Sequence, residues 1–441
     1  MTEGMLTQPM LDTLEKKFKE DPTNRLAMNA VTRTSLQDIA LNRDVLVDAD
    51  FTFNHEVDSG EITDQARAGT CWMFAELNWM RTFTQKKFKI KAAHFSENYL
   101  MFFDKLEKAN YFLEAMIELR DRDRDDRYVH FLLGSPIGDG GEWHLIVNLI
   151  KKYGVIPFSA MPDSFNRSNS RFMNEVLAYK LREAAAKIRQ AHRAGRNIAF
   201  LRKIKEETMD VVYRILVICM GLPPKKIDFA FKDEDKKFQR DTGLTPKEFF
   251  EKYIGFDFDT MYTLWSCPSE VTPFHQTYTV EYFDNMVGGT PWKCLNLPIG
   301  ELKKICVKSL KKEEAALFGC DVLQECNTKE GILYGGVYDY DIIFQTDFTM
   351  TKQERLDYRQ SFMTHSMVFT GLDMVDNKPT KWKVENSWGD KVGKKGFFIM
   401  SDKWFDEHVY DLVTFDKYLT KKFLKEFEKD PVLLPPWFPM T

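Results

Sequence analysis

The 441-residue chain is 44% hydrophobic, 29% charged and 14% aromatic, a balance that buries a substantial core and excludes a disordered or low-complexity protein. Its 62 Lys+Arg against 66 Asp+Glu leave a formal charge of −4, which gives no global pull toward nucleic acid or an anionic membrane. No apolar run approaches the roughly 20 residues of a spanning helix, and the N-terminal segment lacks the basic-then-apolar order of a secretory signal.

Seven scattered cysteines with no C-x-x-C pair fit neither a disulfide framework nor a zinc site. The expectation is a cytoplasmic, reducing compartment in which a thiol stays free, with no metal and no organic cofactor.

In chain order, a helix is expected around Met10–Lys19, then a turn at Pro22–Asn24. Residues 71–82 are good helix formers with apolar positions on one face, preceded by the breaker Gly69. Gly134 to Gly141 reads as a glycine-rich loop, and the next segment as a helix stopped by Gly154. A helical block follows from about Asn169 to Gly221. From about Asp257 the segments HQTYTVEYF, GILYGGVYDYDIIF, SMVFTGLDMV, KWKVENSW and KGFFIM read as strands, rich in β-branched and aromatic residues. Helices first and strands later indicate an α+β protein with segregated halves.

The chemistry concentrates in a few segments. In Asp64-Gln65-Ala66-Arg67-Ala68-Gly69-Thr70-Cys71-Trp72, the cysteine falls in the first turn of a helix, where unpaired N–H groups and the helix dipole favour thiolate. Gln65 can return its amide toward that sulfur and, with the Cys71 N–H, donate to an oxyanion. Alone, the cysteine fits a small buried hydrophobe as well.

A thiolate nucleophile wants an imidazole and a group that orients it. His365 opens one expected strand, and Asn386 ends another 21 residues later. Neighbouring strands bring the two together, with Asn386 accepting the imidazole N–H and Trp388 shielding that bond.

QARAGTCWMFA, THSMVFTG and VENSWGD resemble the three active-site blocks of papain-like cysteine peptidases. The similarity is nearest to the bleomycin hydrolase and aminopeptidase C branch and extends through SPIGDGGEWHLIVNLIKKYGVIP, ALFGCDV and ERLDYRQSFMTHSMVFTG. The resemblance implies a papain-like two-lobed fold, with a helical lobe and an antiparallel β-barrel-like lobe. It implies Cys71 as nucleophile, His365 as general base and acid, Asn386 as orienter and Gln65 as oxyanion stabiliser. Gly140 and Gly141 resemble the glycine pair whose backbone pairs with the peptide substrate, since glycine lets an extended chain approach closely; a simple tight turn is the alternative. Trp388 and Thr441 complete the expected substrate-contacting set.

Cys71 and His365 lie 294 positions apart, far beyond the roughly 130–150 of small papain-like enzymes. A large helical insertion follows. The expected layout is one catalytic domain over 1–441, with a helical lobe at about 60–165, the insertion at about 166–255, a β-rich lobe at about 257–430 and a C-terminal arm at 431–441. Between Arg171 and Asp228, 13 Lys+Arg face 6 Asp+Glu, a local charge of +7. The resemblance implies that the insertion helps build a homohexamer, and family links to DNA exist. Few aromatics stand among these charges, which speaks against nucleic acid as a partner.

In aminopeptidase-type relatives the arm lies in the cleft, its terminal carboxylate meeting the substrate's α-ammonium. Such tails read like PWDPMGALA, whereas this chain has Phe438 in place of the Asp. It also ends about three residues sooner, which at about 3.3–3.6 Å per extended residue withdraws the carboxylate by roughly 10 Å.

The expected function is therefore thioester-mediated hydrolysis of small peptides, with oligopeptidase or endopeptidase action beside aminopeptidase action. The alternatives are a strict aminopeptidase, a non-catalytic nucleic-acid-binding hexamer using the basic insertion, and a structural or chaperone-like hexamer with a vestigial site.

Overall fold

A computed structural model describes residues 4–91 and 93–440. The helix Cys71–Phe88 is buried on all faces from Trp72 to Thr82, as befits a central core helix rather than an amphipathic surface one. It ends at Lys89, which takes the left-handed conformation (φ 51°) and returns its N–H to the Gln85 carbonyl. Around it pack helices Glu97–Glu118 and Trp143–Tyr153. Gly154 stops the latter at φ 75°, where a Cβ would strike the Pro246 backbone at 2.3 Å.

The insertion contributes helices Arg171–Arg193 and Ile198–Met220, separated by a short break in which Gly195 sits at φ 75°. They bury Leu177, Leu181, Ile188, Val212 and Leu216 in the same core. Its cations are largely engaged within the protein. Arg182 donates to the Leu133 and Gly134 carbonyls, Arg189 to those of Leu119 and Arg122, and Arg202 and Lys205 pair with Glu114.

A 12-stranded mixed sheet forms the second lobe. At its centre Ala316–Cys320, His365–Val375, Lys378–Glu385 and Phe397–Ser401 are successive antiparallel neighbours, and three further strand pairs are parallel. Phe318, Phe369, Trp382 and Phe405 stack beneath them, Phe318 on Phe369 at 3.8 Å and Trp382 on Phe405 at 4.8 Å. The lobes are stitched together by the Trp79 indole N–H on the Ala315 carbonyl (2.8 Å) and by a fully buried Arg81–Glu385 ion pair (2.6 Å).

Three sequence expectations differ from the structure. Pro22–Asn24 is not a turn between helices: Pro22 opens the helix Pro22–Val31, its fixed φ suiting the first helical position while Asp21 caps the Thr23 N–H. The insertion is not wholly helical, since Ile227–Lys232 and Phe238–Leu244 form a separate hairpin before helix Pro246–Tyr253. GILYGGVYDYDIIF is not one strand: Ile332–Leu333 pairs as a short strand, Tyr338 forms an isolated bridge with Leu41, and Tyr340–Phe344 is a helical turn. No helix among the described residues is long and apolar enough to cross a membrane.

Candidate active site

Cys71 is the first residue of its helix, so its backbone N–H has no intrahelical carbonyl to bond. His365 is the first residue of its strand and is buried; its Nε2 lies 2.8 Å from Asn386 Oδ1. The same Asn386 oxygen accepts the Ser387 N–H at 2.7 Å, which fixes the amide orientation. Because Oδ1 can only accept, Nε2 carries the hydrogen and the neutral ring keeps its lone pair on Nδ1. The Trp388 ring lies against the imidazole at 4.8 Å, tilted 35°.

Cys71, His365, Gln65 and Trp388 line one cleft of about 630 Å³ between the lobes. The N–H of Ser366, next to His365, bonds toward the Cys71 sulfur, so thiol and imidazole share one wall.

The Gln65 amide is held by its oxygen: Ser387 Oγ donates to Oε1 at 2.8 Å, while Nε2 gives one hydrogen to the Ala68 carbonyl at 2.9 Å. Among the described residues the second Nε2 hydrogen has no acceptor. The 63–65 segment is strapped to the Asn386 loop, Gln65 N–H bonding to the Ser387 carbonyl and Gly389 N–H to that of Thr63. Ala66 takes φ 54° to make the intervening bend.

Burial pushes the Cys71 thiol up, against the opposing N–H groups of Ser366, Trp72 and Cys71 itself. Burial likewise drives the His365 ring down to about 4, against the Asn386 bond. The helix terminus alone therefore does not yield the thiolate expected from the sequence. Both shifts favour the neutral forms of the two groups.

Gly140 and Gly141 border the cleft in different ways. A Cβ on Gly141 would meet Trp72 Cε2 at 2.5 Å, whereas one on Gly140 would enter open space. Thr441, expected to meet the substrate, lies outside the described residues. The arm before it packs beyond the cleft lining. Trp437 lies against Tyr128 (4.9 Å) under the Arg127 guanidinium (3.8 Å), Phe438 stacks on Trp265 (6.0 Å), and Met440 is buried.

One residue missed by sequence reasoning is Asp139, inside the glycine-rich loop itself. Its carboxylate accepts the Gly69 N–H (3.0 Å), Asn174 Nδ2 (2.7 Å), Ser170 Oγ and the buried Lys105 ammonium (2.6 Å), and its carbonyl accepts the Trp72 indole N–H (2.7 Å). Against the upward push of burial, Lys105, Ser170 and Asn174 hold this carboxyl well below its usual range. No local pattern marks the role, because the partners come from three separate segments.

A papain-like α+β fold with a cysteine at a helix start and an Asn-held imidazole in the same cleft defines a thiol-dependent peptidase. The Peptidase C1-like family model matches residues 5–441. Aminopeptidase C of Lactobacillus delbrueckii subsp. lactis is 39% identical over 435 residues, covering 97% of each chain. Human bleomycin hydrolase is 37% identical, covering 100% of this chain and 99% of its own. The crystal structure of PepW from Lactobacillus rhamnosis HN001 superposes with a TM-score of 0.97 at 42% identity, over 100% of this chain and 99% of that one. The chain belongs to the Peptidase C1-like family and is a cysteine peptidase.

Proposed function

We propose that the chain hydrolyses peptides through a Cys71 thioester, cleaving within oligopeptides as well as at their N-termini. His365 Nδ1 takes the thiol proton, and the sulfur attacks the carbonyl carbon. The oxyanion is received by the free Gln65 Nε2 hydrogen and the Cys71 N–H. The imidazolium then returns its proton to the leaving amine as the C–N bond breaks. Neutral His365 next deprotonates a water that attacks the thioester, and collapse releases the acid and restores the thiol. Asn386 holds the ring by its N–H throughout, and Trp388 keeps water from that bond. Gly140 and Gly141 pair with the acyl side of the peptide.

The observation that carries the hydrolytic reading is the convergence of Cys71, His365 and Gln65 on one cleft with His365 Nε2 bound to Asn386. The internal-cleavage reading is supported by the arm: none of its residues up to Met440 lines that cleft, and Phe438 is turned into an apolar cluster. Assembly into a homohexamer and residence in the cytoplasm belong to the same proposal. All seven cysteines are free, and Met10, Leu14 and Phe18 stand exposed along a helix with no buried residue.

Cys71→Ala is expected to abolish turnover with the fold intact, and an N-acetylated peptide to be cleaved at a rate comparable to its free-amine twin. Activity persisting in Cys71→Ala rejects the nucleophile, and strong preference for the free amine rejects internal cleavage.

A further inference from the structure

Three carboxylates sit behind the catalytic cysteine without a cation. Glu142 follows directly on the Gly140–Gly141 edge, lines the cleft, is only 8% exposed, and its carboxylate makes no hydrogen bond or ion pair among the described residues. Behind it lie Asp411, 4% exposed with Oδ1 unpartnered, and Glu76, 1% exposed with Oε2 unpartnered. Their charges act on one another: Glu142 on Glu76, and Asp411 on both. Gly319 leaves room for Asp411, since a Cβ there would meet its Oδ1 at 2.5 Å.

The lysine that lines the cleft, Lys108, is already held by Asp104 (2.8 Å) and the Gly140 carbonyl (2.6 Å). The three acids do not form a set able to hold a metal ion.

Buried carboxylates are ordinarily paired, because an unpaired one costs several kcal/mol of lost hydration. Here Glu142 lines the cleft directly after Gly140 and Gly141, beside the path of a peptide bound along that pair. An organic cation delivered by the substrate would supply the missing partner through a charge-assisted contact. Burial, with Asp411 and the Cys71 thiol nearby, pushes the Glu142 carboxyl well above its usual range, so ionisation and cation binding would occur together.

We propose that Glu142, with Asp411 and Glu76 behind it, forms a cation-accepting subsite. It would take the ammonium or guanidinium of a lysine or arginine side chain on the acyl side of the cleaved bond. This rests on the peptidase reading above and names the substrate class of that same cleft.

The test uses the full-length enzyme and acyl-side dipeptides on aminomethylcoumarin, in which every residue precedes the cleaved bond. Arginine and its neutral isostere citrulline are compared at each of the two positions, N-acetylated and as free amines. The expected result is a kcat/KM at least about tenfold higher for a cationic peptide than for its neutral twin, collapsing to near unity in Glu142→Gln and reduced in Asp411→Asn. A ratio taken on one preparation is independent of the fraction folded. An arginine-over-citrulline preference retained in acetylated peptides assigns the cation to a side chain, and a free-amine preference without any arginine-over-citrulline preference overturns the subsite. Equal rates for all pairs, or a preference unchanged in Glu142→Gln, overturns the subsite while leaving the peptidase intact. Absence of cleavage of every peptide by enzyme that still titrates with a thiol-directed epoxide overturns both.

Discussion

Trp72 is fixed by the chain on either side of it. It follows Cys71 in the first helical turn, its indole N–H is held by the Asp139 carbonyl at 2.7 Å, and its ring covers the place where Gly141 would carry a side chain. The glycine pair is thus two different requirements in adjacent positions. Gly141→Ala drives a methyl to 2.5 Å from the indole, an overpacking that costs about 1–3 kcal/mol. It also tilts the residue next to the sulfur, and a displacement of about 1 Å at a reacting centre is worth up to about 100-fold in rate. Gly140→Ala meets nothing within 4 Å and is expected to leave stability unchanged. Urea unfolding of both variants, with turnover of one acetylated peptide, checks the contrast. Equal stability of the two would show that the ring relaxes freely and that Trp72 does not govern the position.

Asp139 acts at the scale of elements, joining the loop before the cysteine, the helix Glu97–Glu118 through Lys105 and the insertion helix through Asn174. Asp139→Asn keeps the shape but leaves the Lys105 ammonium buried without a counter-charge, so a loss of about 3–5 kcal/mol is expected. In the folded fraction both kcat and KM should worsen, because Asp139 ties Gly69 and Trp72, on either side of Cys71, to the loop that carries Gly140 and Gly141. An unaltered unfolding midpoint with full kcat would remove Asp139 from any positioning role.

How far this arrangement was legible in the sequence depends on the separation of partners. The interval between His365 and Asn386 is a hairpin. Strands His365–Val375 and Lys378–Glu385 are joined by Asp376 and Asn377, both at positive φ (50° and 61°), the turn that matches strand twist. Two strand patterns around such a pair therefore predict the imidazole–amide contact. The Cys71 helix was legible from Gly69 and the helix formers after it. The Asp139 bonds and the nearness of Glu142 to Asp411 were not, because each joins segments that only the folded chain brings together. The hairpin in the insertion, Ile227–Lys232 and Phe238–Leu244, escaped because its aromatic residues Phe229 and Phe231 find their partners, Phe88, Phe249 and Tyr253, on helices to either side of it only in the folded chain.

Across the whole molecule, the buried acids set a pH dependence of stability that opposes the one set by His365. Burial raises Asp411 from its ordinary 3.8 to about 7, so between those values the folded state holds a proton that the unfolded chain has released. Its stabilising contribution is complete below 3.8 and is lost as pH rises through about 7. His365 falls from 6.5 to about 4; there the unfolded chain binds the extra proton, and stability is gained as pH rises from 4 to 6.5. The two trends partly cancel up to pH 6.5, and above it, of these two groups, only Asp411 acts. Asp411→Asn removes the titrating group while its amide oxygen can still accept the Gly319 N–H that bonds the carboxylate. The variant should match the parent near pH 4 and exceed it above pH 7, by on the order of 1–3 kcal/mol, with a flatter Tm profile between. Thermal unfolding across pH 4 to 8.5 in both proteins reads this directly. Parallel curves would mean that Asp411 is solvated or paired in the folded protein, and the charge frustration behind the cysteine would have to be assigned to Glu142 and Glu76 alone.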